Sequence, residues 1–212
     1  MLEAAAYLEN KGFSVIPLRQ PYKHVLGSYF AKKNGKYPAS IWPLLFAYFG
    51  RTANIRSFAS RPNANIGVLT GQRYNLVIVD VDFPQGGKSS MKQLDLPSTL
   101  TVLTGNGLHL YYRQPGGKVP TCAGGLAPGI DVKGERSFAT APPSLHCLGS
   151  RYQWLDECAD IAEFPTTTSD RLRQLPRRGL ARELVYILAL IGVLLPVSSV
   201  LGNLVERFRQ EP

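Results

Sequence analysis

The sequence predicts an α+β fold: a mixed β-sheet core with flanking helices, followed by a helical segment at the C-terminal end. Three observations lead there. Short β-rich stretches recur between residues 65 and 154, separated by glycine and proline turns. Helix-forming sequence lies ahead of them and beside them rather than alternating strictly with strands. Past residue 165 the β-rich pattern stops and leucine, alanine and arginine take over. With 44% hydrophobic and 18% charged residues, the chain has enough apolar side chain for an ordinary core.

Residues 2–11 (LEAAAYLENK) are Ala-rich and helix-forming, with Gly12 as the expected stop. FSVIPL reads as a short strand closed by Pro17, and residues 20–40 as a basic loop whose most turn-prone stretch is GKYP at 35–38. A helix rich in aromatics is expected over 41–49. NIGVLTG (65–71) is a strand ending in a glycine turn. NLVIVDVDF (75–83) is almost continuously apolar around two aspartates, the pattern of a central strand buried on both faces. A short helix follows near 88–94. TLTVLTG (99–105), LHLYYR (108–113), GIDVKG (129–134), RSFATA (136–141) and RYQW (151–154) supply the remaining strands, with no internal repeat or low-complexity tract.

This divides the chain into a domain over 1–165 and a helical appendage over 166–212. Within the appendage, residues 184–205 carry no charge and are long enough to cross a membrane. Pro196 splits that run and arginines flank both ends, so a soluble helical hairpin is favoured, with membrane association as the alternative.

The net charge of +9 is confined to one part of the chain. Residues 1–150 hold 16 Lys/Arg against 7 Asp/Glu, whereas 151–212 hold eight of each. Between Glu9 and Asp80 there are ten basic side chains and no acidic one, a field that attracts polyanions. The three cysteines (Cys122, Cys147, Cys158) have no CxxC spacing, which argues against a disulfide framework. His146 and Cys147 lack a partner set at zinc spacing. With no basic leader ahead of an apolar run, a cytoplasmic location is expected.

Three motifs carry chemistry. Asp80 and Asp82, at i and i+2 on one strand, point to one face. Two readings stay open for them: a strand end meeting solvent or Lys/Arg, and a seat for a hard divalent ion such as Mg²⁺. In Thr104-Gly-Asn-Gly-Leu-His109, a tight turn containing Gly105 and Gly107 leads into a strand on which His109, Tyr111 and Arg113 share a face. A glycine turn beside a His and an Arg suits a triphosphate. Asp131 and Lys133 again share a face, one carboxylate beside one cation. Ala141-Pro-Pro-Ser144 with His146 reads as a rigid turn before a short strand.

The order of these segments resembles the bifunctional primase-polymerase (prim-pol) domain of the archaeo-eukaryotic primase superfamily, found in replication proteins of plasmids, phages and integrated elements. The resemblance runs from about Ala4 to Trp154 through AAAYLENKGFSVIPL, GKYP, NANIGVLTG, LVIVDVD, LPSTLTVLTGNGLHLYYR, PGIDVKG and APPSLHCLGSRYQW. It implies a primase/RRM-like catalytic core in which Asp80, Asp82 and Asp131 bind two Mg²⁺ or Mn²⁺ ions. It also implies that His109 contacts the nucleotide's phosphates, with Lys133 neutralising the triphosphate and Gly105, Gly107, Ser144 and His146 shaping the nucleotide pocket. TGNG replaces the more usual Gly-Gly pair, and GERSFATAPPS lacks the extra glycines usual before the PPS stretch.

The expected activity is template-dependent nucleotidyl transfer, with single-stranded DNA and nucleoside triphosphates as partners. The basic stretch 10–79 is expected to follow the template. A non-catalytic nucleic-acid- or nucleotide-binding module on the same fold is the alternative. Topoisomerase-primase-type domains need an upstream Glu on its own strand, and only Glu3 and Glu9 precede Asp80. No GxxxxGK[ST] occurs in these 212 residues, so they are expected to be a stand-alone protein, a fragment of a longer helicase-linked one, or a subunit that works with a separate helicase.

Overall fold

The computed structural model describes residues 1–20 and 58–175. The loop beyond residue 20 with its GKYP turn, the aromatic helix expected over 41–49, most of the basic stretch and the apolar run 184–205 lie outside the described residues. Among the described residues no helix is long and apolar enough to cross a membrane. The chain divides into two compact units, Met1–Gln174 and Leu175–Pro212. Among the described residues, the first is an α+β assembly of two sheets and three α-helices.

Helix α1 (Leu2–Asn10) buries Ala5 and Leu8 against the core. Gly12 then adopts a φ of +89°, which lets the chain reverse into the strand that follows. That strand, β1 (Val15–Leu18), pairs with β2 (Asn65–Thr70), which pairs in turn with β8 (Ser137–Ala141). Pro17 does not end β1: it lies within the strand opposite Ile66. An edge strand tolerates the missing N–H because only one side of it is paired.

The second sheet has six strands in the order β6-β7-β3-β5-β4-β9. They are β3 (Val77–Asp82), β4 (Thr101–Leu103), β5 (Gly107–Tyr112), β6 (Cys122–Ala127), β7 (Ile130–Lys133) and β9 (Gln153–Trp154). All pairings between named strands are antiparallel. An isolated parallel bridge joins Arg113 to Glu163. Helix α2 (Gly87–Gln93) packs on β3 and β7, and α3 (Thr166–Gln174) on β6.

β3 is central because its sequence suits burial on both faces. Val77, Val79 and Val81 on one face are fully buried, as are Ile130 and Val132 of β7. On the other face Ile78 joins a core formed with Val15, Ile66, Val68, Ala139 and Tyr111, drawn from both sheets. Phe13, Tyr111 and Trp154 interlock there, with Tyr111 edge-on to Phe13 at 5.7 Å and to Trp154 at 5.4 Å between ring centres. Burying each such side chain contributes about 2 kcal/mol. Two residues along β3 from Ile78, on that same face, stands Asp80.

Candidate active site

The pairing register brings the site together. Asp80 lies directly opposite His109 on β5 and Asp131 on β7, so three polar side chains form a row across adjacent strands on one face. His109 Nε2 is 3.5 Å from Asp80 Oδ1. Lys133, from the neighbouring rung opposite Ile78, reaches across so that its Nζ lies 3.6 Å from Asp80 Oδ2 and 3.0 Å from Asp131 Oδ2. Burial alone would lower the lysine's pKa, but the two carboxylates outweigh it and hold the pKa above the ordinary value. Lys133 is therefore a cation at every physiological pH.

Separate donors orient the carboxylates. The backbone N–H of Gly124 donates to Asp131 Oδ1 at 2.9 Å, from a residue with φ of +63° where the β6–β7 register is broken. That irregularity turns an edge-strand N–H toward the site. Asp82 accepts from Gln85 Nε2 at 2.7 Å and from Asn106 Nδ2 at 3.4 Å. The turn holding Asn106 must approach β3 closely: a Cβ at Gly107 would run into the carbonyl oxygen of Val81. A Cβ at Gly105 would collide with the His146 ring. Both glycines of TGNG are thus demanded by their neighbours.

The three aspartates, His109, Lys133, Gln85 and Asn106 line a cleft of about 480 Å³, together with Pro84, Thr104, His146, Cys147, Leu148 and Tyr152. Its inner wall is aromatic. Tyr152 packs against His109 at 5.6 Å and His146 at 5.5 Å between ring centres, and all three are buried. Burial pushes the Tyr152 hydroxyl pKa well above its usual range, so the wall carries no phenolate charge. His109 is only 4% exposed, and its Nδ1 has no hydrogen-bond partner.

Of the residues expected from sequence, Asp80, Asp82, Asp131, His109, Lys133 and His146 all line this cleft. Ser144 does not. It is fully buried, and its hydroxyl accepts from the Ile66 backbone N–H at 2.8 Å, tying the turn after the cis Pro142–Pro143 bond to β2. Arg113 does not share the site with His109 either. It lies four residues along the sheet face, about 13 Å away, with the core residue Tyr111 between them and its backbone bridged to Glu163. Sequence reasoning missed Gln85, Asn106, Gly124 and the wall formed by Tyr152. The Asn of TGNG was a usable signal, because it stood where a glycine is more usual; a backbone N–H such as that of Gly124 has none.

Among the described residues no three His, Cys, Asp or Glu side chains form a metal-ligand cluster. Lys133 sits against Asp80 and Asp131, while Asp82 is engaged by Gln85 and Asn106. The donor chemistry nonetheless suits a hard divalent ion, since the three aspartates offer only carboxylate oxygens on one face of an open cleft.

The profile of the family described as "Prim-Pol: Bifunctional DNA primase/polymerase, N-terminal" matches residues 4–167. That span covers α1 from Ala4 onward, every described strand and the whole of the cleft. No curated protein matches the chain.

Proposed function

The chain belongs to the bifunctional DNA primase/polymerase N-terminal family, and from that premise we propose that it is a template-dependent nucleotidyltransferase of a plasmid, phage or mobile-element replication system. The observation that carries this reading is the row Asp80–His109–Asp131 on three adjacent strands, opening on a cleft with Lys133 beside it. A non-catalytic binding module has no need of facing carboxylates in a half-buried row, because they repel one another and lose hydration.

Asp80, Asp82 and Asp131 would hold two Mg²⁺ or Mn²⁺ ions. Held there, the ions would supply Lewis acidity to the attacking 3′-hydroxyl and positive charge to the departing pyrophosphate. The protein's own groups do the rest by position and charge. His109, buried and braced by Tyr152, would offer a ring N–H to phosphate oxygens. Lys133 adds a permanent positive charge, which matters because phosphoryl-type transfer is governed by positioning and electrostatics. Gly124, Gln85 and Asn106 hold the carboxylates in place. The wall of Tyr152 and His146 would limit water at the bound nucleotide. Single-stranded DNA is the template in this reading, and the basic stretch 10–79 follows its backbone.

The test is incorporation of labelled nucleotides on a DNA template with Mg²⁺ or Mn²⁺, with and without a primer. Asp80→Ala and Asp131→Ala should each lose about 10³-fold in rate while melting as cooperatively as the wild type. Wild-type incorporation by either variant would sink the assignment.

A further inference from the structure

We propose that Lys133 is an internal counter-cation that must leave Asp80 and Asp131 before a divalent ion can bind them, so that metal arrival frees the lysine for the incoming triphosphate. The inference rests on the catalytic reading above and adds to it the order in which charges exchange.

The contacts single out two oxygens. Asp80 Oδ1 faces His109 Nε2 and Asp131 Oδ1 accepts from the Gly124 N–H, leaving Oδ2 of each residue toward the Lys133 ammonium at 3.6 and 3.0 Å. Asp80 and Asp131 are direct cross-strand partners, a placement in which like charges repel. Lys133 offsets that repulsion while belonging to the adjacent rung, so it is stretched over to the carboxylates rather than set between them by the pairing. Asp80 and Asp131 would hold a metal ion through the carboxylates that Lys133 now contacts. An ammonium and a divalent ion at one oxygen pair repel strongly at such short range. The lysine has somewhere to go: its side chain is 24% exposed, it lines the cleft, and a lysine's four-carbon stem is flexible. Once displaced, the ammonium stays at the mouth of the cleft where phosphates arrive.

A static salt bridge and a displaceable one differ in how the lysine affects metal affinity. The experiment is Mn²⁺ binding by calorimetry, with no nucleotide present, on wild type, Lys133→Met, Lys133→Gln, Lys133→Arg and Asp131→Asn. If Lys133 competes with the metal, Met and Gln should bind Mn²⁺ about tenfold more tightly than wild type, and Arg no more tightly. Both neutral variants should also melt lower than wild type in EDTA and recover with Mn²⁺, a readout that identifies a folded but undercompensated site. Wild-type Mn²⁺ binding that Asp131→Asn abolishes but Met and Gln leave unchanged or weaken would overturn the exchange and leave the catalytic reading standing. No Mn²⁺ binding by wild type, with Asp131→Asn indistinguishable from it, would overturn the catalytic reading and this inference together.

Discussion

At the rung of Ile78 and Tyr111, the face shared by β3 and β5 is packed dry within the core, with Tyr111 locked between Phe13 and Trp154. At the rung of Asp80, His109 and Asp131, two residues along, the same face opens on the cleft. The strands, their pairing and their backbone geometry continue unchanged between the two. What differs is the side chain at each rung and what lies opposite it. Strand alternation therefore decides only which residues share a face, and the fold uses one end of that face for stability and the other for charge. Lys133 joins the two ends, since its backbone is on the apolar rung and its ammonium on the polar one.

The sharpest way to break that comparison is to cut each end and ask which property fails. Ile78→Ala should cost about 3 kcal/mol of stability, as expected for a large-to-small change at a fully buried site, read from the midpoint of urea unfolding. The folded fraction should retain nucleotide incorporation. Asp80→Ala should do the reverse, losing activity with little change in midpoint. A loss under about 1 kcal/mol for Ile78→Ala would mean that the apolar rung does not anchor the site.

A smaller effect separates binding from chemistry within the polar end. His109 lies beside Asp80, and a glutamine amide can donate from the same position, so His109→Gln should preserve the row. It should lower kcat/KM by about 10- to 100-fold, the cost of one hydrogen bond to a charged group, mostly through KM for the nucleotide. An unchanged KM with reduced kcat would instead assign His109 to the reacting atoms.

Much of this face was legible in the sequence because alternation at period two is local. VIVDVD, GLHLYY and IDVK each show which side chains travel together, and the cleft gathers those residues as the pattern requires. Other features depended on tertiary pairing. β6 runs through CAGGLA, with two glycines and no alternation, and is a strand only because β7 pairs with it. Pro17 reads as a stop unless β1 is known to be an edge strand. Ser144 and His146 stand two residues apart in the sequence. One is nevertheless tied beneath the sheet and the other turned into the cleft, a split set by Ile66 and Gly105. Arg113 shares its face with His109 as alternation demands, but nothing local to β5 reveals that the core closes over Tyr111 between them.

The smallest effect probes how dry the apolar end is. Tyr111 is fully buried and its hydroxyl has no hydrogen-bond partner, so the ring contributes packing while the polar atom carries a desolvation penalty. Tyr111→Phe should keep the edge-on contacts with Phe13 and Trp154 and gain about 1 kcal/mol. The same burial drives the hydroxyl's pKa far above its ordinary value of 10.0. The unfolded chain therefore releases this proton at a lower pH than the folded one. The tyrosine's contribution is level below pH 10.0 and is progressively lost above it. Phenylalanine has no proton to lose, so the stability gap between variant and wild type should widen as the pH is raised from 9 to 11. A gap that stays constant across that range would show that the hydroxyl ionises as readily in the fold as in water, and that the rung beside Asp80 is wet.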